Sequence, residues 1–144
     1  MKRLATALVA TVLFLTLNCL AQQANAPADD SNAVAATVTN YIEAYYTGDA
    51  ARMQQTLHPH YLKHMIHGNV PVREKTGAEM VREVGTNGPA DMPPADKTEK
   101  VSVLDVAGNI ASAKLVTPGW TDYMTLSKVE GSWKILSVVQ RIDN

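Results

Sequence analysis

Between residues 31 and 58 the apolar positions recur at helical spacing. Val34, Val38, Tyr41, Ile42 and Tyr45 form one stripe, which predicts an amphipathic helix capped by Asp30 or Ser31. Gly48 ends that helix, since glycine just past a C-terminus enters the left-handed region without a Cβ penalty. Asp49 caps a second, short helix whose buried side is Met53 and Leu57, and His58-Pro59 stops it. Thr76 with Glu79 three residues on is a capping box for a third helix. Its apolar positions are Met80, Val81 and Val84, and Gly85 closes it. Residues 85–97 carry Gly85, Gly88, Pro89, Pro93 and Pro94, a composition that excludes a central strand.

From Thr98 onward the period changes from helix to strand. Thr98–Ala107 and Ile110–Thr117 flank Gly108-Asn109, and Thr121–Val129 and Ser132–Gln140 flank Glu130-Gly131, two hairpin signals in a row. With two-residue turns, Leu104 faces Ala113 and Val106 faces Ala111, while Asp105, Ser112 and Lys114 meet water. In the second hairpin Met124, Leu126, Trp133 and Ile135 share one face and Tyr123, Thr125, Leu136 and Val138 the other. Neither face is purely polar, so both are expected to be covered. Helices first and antiparallel sheet last make an α+β domain.

The first twenty or so residues read differently. Lys2 and Arg3 precede an uncharged apolar run, Leu4 to Leu17, and small residues follow at Ala21, Ala24 and Ala26. This is the layout of a secretory signal peptide over residues 1–21, with cleavage after Ala21 or as late as Ala26. The run is shorter than the roughly 20 residues a permanent membrane anchor needs. Residues 22–30 read as a disordered lead-in and 31–144 as the domain. Export to the periplasm or medium is the expectation. Cleavage also removes Cys19, the single cysteine, and with it any disulfide or thiolate metal site. Loss of Lys2 and Arg3 leaves 11 basic against 14 acidic residues, a net charge of −3 with mixed signs. Such a surface has no electrostatic footprint for nucleic acid.

Three blocks carry a resemblance: Tyr41-Ile42-x-x-Tyr45-Tyr46-x-Gly48-Asp49 with Leu57-His58-Pro59; Val103-Leu104-Asp105-Val106-x-Gly108-Asn109-x-Ala111-Ser112-Ala113-Lys114; and Trp120-x-Asp122-Tyr123 through Gly131-x-Trp133-Lys134-Ile135. In these the chain resembles the nuclear transport factor 2-like superfamily, and within it the bacterial family labelled putative lumazine-binding, close to the SnoaL-like polyketide cyclases. The resemblance covers about residues 32–140. It implies a cone-shaped fold with N-terminal helices on the concave side of a bent antiparallel sheet, a first strand over Tyr61–His67, and homodimers through the sheet. The position after His-Pro, often acidic in such chains, is His60 here. The paired carboxylates of ketosteroid isomerase-like members have no evident match.

All four histidines, His58, His60, His64 and His67, fall within ten residues. On a helix His60, His64 and His67 would share a face and suit zinc. On the strand that the resemblance implies, His60 and His64 lie about 13 Å apart and His67 points the other way, so one ion cannot bridge them. The expectation is no metal and no cofactor. The histidines read either as surface or hydrogen-bonded groups, or with one of them, His64, against the pocket, where an imidazole acts as acid or base near neutral pH. Asp122 is the carboxylate that an apolar site would raise in pKa, with a strand end in water as its other setting. Lys63 and Lys128 are expected in solvent. Tyr41, Tyr45, Tyr46, Trp120 and Tyr123 form the aromatic set, either as core or as walls for a flat ligand.

These residues support an exported domain that holds a small hydrophobic or aromatic molecule, with Tyr45, His64, Trp120 and Tyr123 as ligand contacts. An alternative is an isomerase- or cyclase-type enzyme in which His64 or Asp122 moves a proton beside a carbonyl. A third is a non-catalytic interaction module whose largest apolar patch lies outside on the sheet.

Overall fold

The computed structural model describes residues 26–87, 89 and 92–143. The signal segment and the start of the lead-in lie outside the described residues. The chain divides into Met1–Asp30 and Ser31–Asn144. Residues 26–30 are the described part of the first unit, and the whole sheet belongs to the second.

Helix α1 runs Ala26–Thr47. It therefore begins ahead of the expected Asp30 or Ser31 cap, and residues 26–30 of the supposed lead-in are helical. The Ala-Pro-Ala start explains this, because proline fits the first turn, where its missing N–H costs nothing. Val34, Val38, Tyr41 and Ile42 are all buried, as their spacing requires. Gly48 takes φ +71° and turns the chain into α2, Ala50–Thr56, where the Asp49 carboxylate accepts from the Arg52 N–H. The Arg52 guanidinium donates in turn to Asn40 and Glu43, tying α2 to α1.

Strand β1, Leu57–Ile66, follows at once. Leu57 is thus the first strand residue rather than the last helical one, and it remains buried. Strand β2, Arg73–Thr76, is polar throughout and has no apolar alternation to mark it. Helix α3, Gly77–Asn87, opens on the capping box: Glu79 accepts from the Thr76 N–H at 2.8 Å. It continues past Gly85, which sits inside the helix where a Cβ would lie 3.2 Å from that of Ala50. Close approach to α2, not termination, explains that glycine. One 3-10 turn, Pro94–Asp96, punctuates the connection to the sheet.

Strands β3 (Lys100–Ala107), β4 (Ile110–Val116), β5 (Trp120–Val129) and β6 (Ser132–Ile142) form the meander. The sheet order is β2-β1-β6-β5-β4-β3. All pairings are antiparallel except β1 with β6, so the sheet is mixed. Two irregularities correct the simple hairpin arithmetic. Val106 does face Ala111, but Val103, not Leu104, faces Ala113, and Leu104 bulges into solvent. In the second hairpin Leu126 pairs Ile135 and Thr125 pairs Ser137, so Leu136 is the extra residue. Past that point the parity flips, since one added residue exchanges the faces. Val138 then lies buried with Met124, while Tyr123 and Val139 point outward.

The core is one cluster from α1, α2, α3 and the inner sheet face, with Leu115, Leu126 and Ile135 at its centre. Among the described residues no helix is long and apolar enough to cross a membrane.

Candidate functional site

Three adjacent strands place a polar side chain on the inner sheet face, where alternation otherwise supplies apolar ones. On β1 the inward residues are Tyr61, Lys63 and Met65, and Lys63 is 5% exposed. On β5 they are Asp122, Met124 and Leu126, and Asp122 is 0% exposed. Gln140 stands across from Asp122 on β6, inward because of the Leu136 bulge, and is also buried. The expectation of a solvated Lys63 is therefore wrong: its place on the strand turns it into the core. Asp122 takes the apolar setting of its two alternatives.

These groups form a chain of contacts. The Lys63 ammonium lies 3.5 Å from Asp122 Oδ2 and donates to the Tyr41 hydroxyl at 3.2 Å. Tyr41 and Tyr61 share a hydroxyl–hydroxyl bond of 3.3 Å. Asp122 Oδ1 is buried without a hydrogen-bond partner among the protein atoms. Gln140 and Trp120 lie near enough to temper its charge but make no bond to that oxygen of ordinary length and angle.

Burial dominates the electrostatics. It pushes the Asp122 carboxyl up, with Lys63 pulling the other way. It pushes the Lys63 ammonium down, against the attraction of Asp122 and with Lys75 adding repulsion. Desolvation raises both Tyr41 and Tyr61 well above an ordinary phenol, so both remain protonated donors. Burial thus favours the neutral form of each group, and their mutual attraction across the 3.5 Å contact opposes it.

Beside this chain is a pocket of about 460 Å³. Tyr41, Ile42 and Tyr45 line it from α1, Lys63 and Met65 from β1, Trp120 from β5, and Gln140 and Ile142 from β6. Met80 and Glu83 of α3 and residues Arg73, Glu74 and Lys75 of β2 complete it. Tyr45 and Trp120 meet edge to face, centroids 5.7 Å apart at 85°, and make a rigid aromatic corner. At the β2 side Lys75 pairs with Glu83 at 2.5 Å. The volume and lining suit a small, flat molecule with a polar edge.

The sequence candidates thus separate. Tyr45 and Trp120 both line the pocket. His64 does not: it alternates with Lys63 and Met65, faces outward, and lies 3.1 Å from Glu74 at the β2–β1 step. Tyr123 is half exposed on the outer face, under the Lys114 ammonium. Asp122 backs the pocket through Lys63. The other histidines do not converge either. His58 and His60 tilt against each other at 5.6 Å, with His58 Nδ1 accepting from the His60 N–H. Among the described residues no three His, Cys, Asp or Glu side chains assemble as a metal-holding group. Lys63 and Gln140 are the residues that sequence reasoning missed. Lys63 had a signal, since it shares a period of two with Tyr61 and Met65. Gln140 had none, because the bulge before it is silent in the sequence.

Comparison with known proteins agrees with this fold. Residues 29–140 match the family model described as "Putative lumazine-binding". The crystal structure of a nuclear transport factor 2-like protein from Silicibacter pomeroyi DSS-3 aligns over 81% of this chain and 98% of its own, with TM-score 0.69 and 21% identity. One from Shewanella baltica OS155 aligns over 81% and 96%, with TM-score 0.66 and 18% identity. A protein of Streptomyces avermitilis described as a putative dehydratase of the same superfamily aligns over 82% and 99%, with TM-score 0.54 and 16% identity. At these identities the likeness is one of fold. No curated protein matches the chain.

Proposed function

The chain belongs to the putative lumazine-binding family of the nuclear transport factor 2-like superfamily, and we propose on that premise that it is an exported protein that holds a small hydrophobic or aromatic molecule. The observation that carries this reading is the pocket of about 460 Å³ that combines an aromatic corner, Tyr45 and Trp120, with the polar groups of Lys63 and Gln140. Rings grip a flat body, and a few polar groups fix its orientation. Native mass spectrometry of the protein from its own exported fraction tests it: one small molecule per chain is expected. A clean apo mass, together with no uptake of flat aromatic probes, overturns it. N-terminal sequencing of the same sample should begin at Gln22 or Pro27; Met1 at the start would refute export.

The outer face of the sheet supports the proposed homodimer. Tyr123, Val139, Ile110 and Ile66 are all at least 38% exposed there, a set of large apolar groups that a second copy would cover. The enzyme reading keeps one specific support, the buried Asp122 with its unpartnered Oδ1. It loses His64, which lies on the wrong face for the pocket. If Asp122 moves protons, Asp122→Asn should retain the bound molecule and lose its conversion.

A further inference from the structure

Lys63 has no evident structural need for its charge. It stands on the inner face between Tyr61 and Met65, a position where methionine would pack without desolvating an ammonium. Its stem is buried, its Nζ lies beyond the Tyr41 hydroxyl, 5.8 Å from the ring centre, and the residue forms part of the pocket wall. Tyr41 and Asp122 hold that nitrogen from two sides, at 3.2 and 3.5 Å. Lys75 and Arg73, the other cations lining the pocket, belong to the edge strand β2, and Lys75 is taken up by Glu83. One pocket nitrogen is thus fixed in place, shielded from water and set beside a carboxyl that can trade protons with it.

We propose that Lys63 is a carbonyl-trapping amine, whose Nζ adds to an aldehyde or ketone carbon of the bound molecule and forms an imine. This rests on the reading that the pocket holds a small aromatic molecule, and it names the reactive group such a molecule carries. The steps balance within the site. Lys63 passes its proton to Asp122, which leaves a neutral amine beside a carboxylic acid. The nitrogen lone pair attacks the carbonyl carbon while the oxygen takes a proton relayed from nitrogen, giving a carbinolamine. Asp122 then protonates the departing hydroxyl, the C–O bond breaks, and water leaves. The product is an iminium on Lys63 facing the Asp122 carboxylate, the same pair of charges that the resting site began with. The Tyr41 hydroxyl, bonded to Nζ, is placed to steady the carbinolamine oxygen. Burial lowers the proton affinity of Lys63, which favours the neutral amine that attack requires.

The test uses 2-naphthaldehyde with cyanoborohydride at about pH 6, where exposed lysines are protonated. 2-Naphthalenemethanol, which lacks the carbonyl, serves as competitor and as a separate probe of binding. Peptide mapping of the purified protein should place one naphthylmethyl group on Lys63, about tenfold or more above exposed Lys100. Excess alcohol should suppress it, and Lys63→Met should abolish it. If saturation-transfer NMR shows the alcohol bound while label falls on surface lysines or nowhere, the imine proposal fails and the pocket reading stands. If the alcohol does not bind and Lys63 stays unlabelled, both fail. The wild-type map decides even where Lys63→Met does not fold.

Discussion

The two faces of the central strands differ in the opposite sense to the usual one. The inner face of β1, β6 and β5 carries Lys63, Gln140 and Asp122 among its apolar residues, all buried. The outer face of the same strands carries Ile66, Val139 and Tyr123, each exposed by more than a third. Polarity inside and grease outside are both costly to an isolated domain. The inner cost is explained by a site, because a buried lysine and aspartate beside a pocket are unfavourable unless something uses them. The outer cost is offset only when a partner covers the patch.

The comparison breaks hardest at the buried pair. Asp122→Leu leaves Lys63 facing an apolar wall and is expected to cost about 3–5 kcal/mol of unfolding free energy. Lys63→Met combined with Asp122→Leu should return stability to the wild-type value or up to about 2 kcal/mol above it, because hydrophobic replacement of a buried pair is commonly neutral or favourable. Urea denaturation of the three proteins checks this. Equal losses in the single and double variants would mean that the pair stabilises the fold and is not kept for function.

On the outer face the expected effect is smaller and of another kind. Tyr123→Ser together with Val139→Thr should weaken self-association by about 30-fold, roughly the 2 kcal/mol of one interface hot spot. The fold should be unaffected, since truncation of exposed groups changes intrinsic stability within about 0.5 kcal/mol. Light scattering across a dilution series should show the monomer appearing at higher concentration than in wild type. A wild-type chain that is monomeric throughout would leave the patch without this partner.

Much of this contrast is legible in the sequence and part is not, for reasons that lie in particular residues. The stripe Val34–Val38–Tyr41–Ile42, the Asp49 cap and the Thr76–Glu79 box specify α1, α2 and α3 through local hydrogen bonds and period, and all three form where expected to within a turn or so. Gly108-Asn109 and Glu130-Gly131 mark both hairpins. What cannot be read are events of one residue. The bulges at Leu104 and Leu136 leave composition unchanged yet exchange the faces beyond them, which misplaces Val138 and hides Gln140. Strand β2, Arg-Glu-Lys-Thr, owes its conformation to pairing with β1 and has no propensity of its own to reveal. Lys63 is misjudged when read by residue type, although its parity with Tyr61 and Met65 points inward.

The pH dependence sharpens the inner face further. Asp122 is raised by burial, so between its unfolded value near 3.9 and its higher folded value the native state binds the extra proton. Stability from this group therefore falls as pH climbs through that window. Lys63 is lowered by burial, so between its folded value and about 10.4 the unfolded chain holds the extra proton, and stability rises with pH. The two together give a shallow minimum between acid and alkaline limits. Subtracting the profile of the Lys63→Met, Asp122→Leu protein should isolate it. A flat difference would show that Lys63 and Asp122 keep their ordinary proton affinities.

The smallest effect is expected one residue along the same strand. His64 neighbours Lys63 in sequence but faces outward, where its 3.1 Å contact with Glu74 is partly exposed to solvent. Pairs of that kind contribute about 0–1 kcal/mol. His64→Ala should therefore change the urea midpoint barely above error and leave retention of the co-purifying molecule intact, whereas Lys63→Met should alter that retention. Native mass spectra of the two variants, prepared side by side, give the contrast directly. Loss of the molecule in His64→Ala would mean that the edge strand β2, which His64 anchors through Glu74, governs the pocket from outside. Retention would confine recognition to the inner face, where strand parity alone separates a surface histidine from a buried amine.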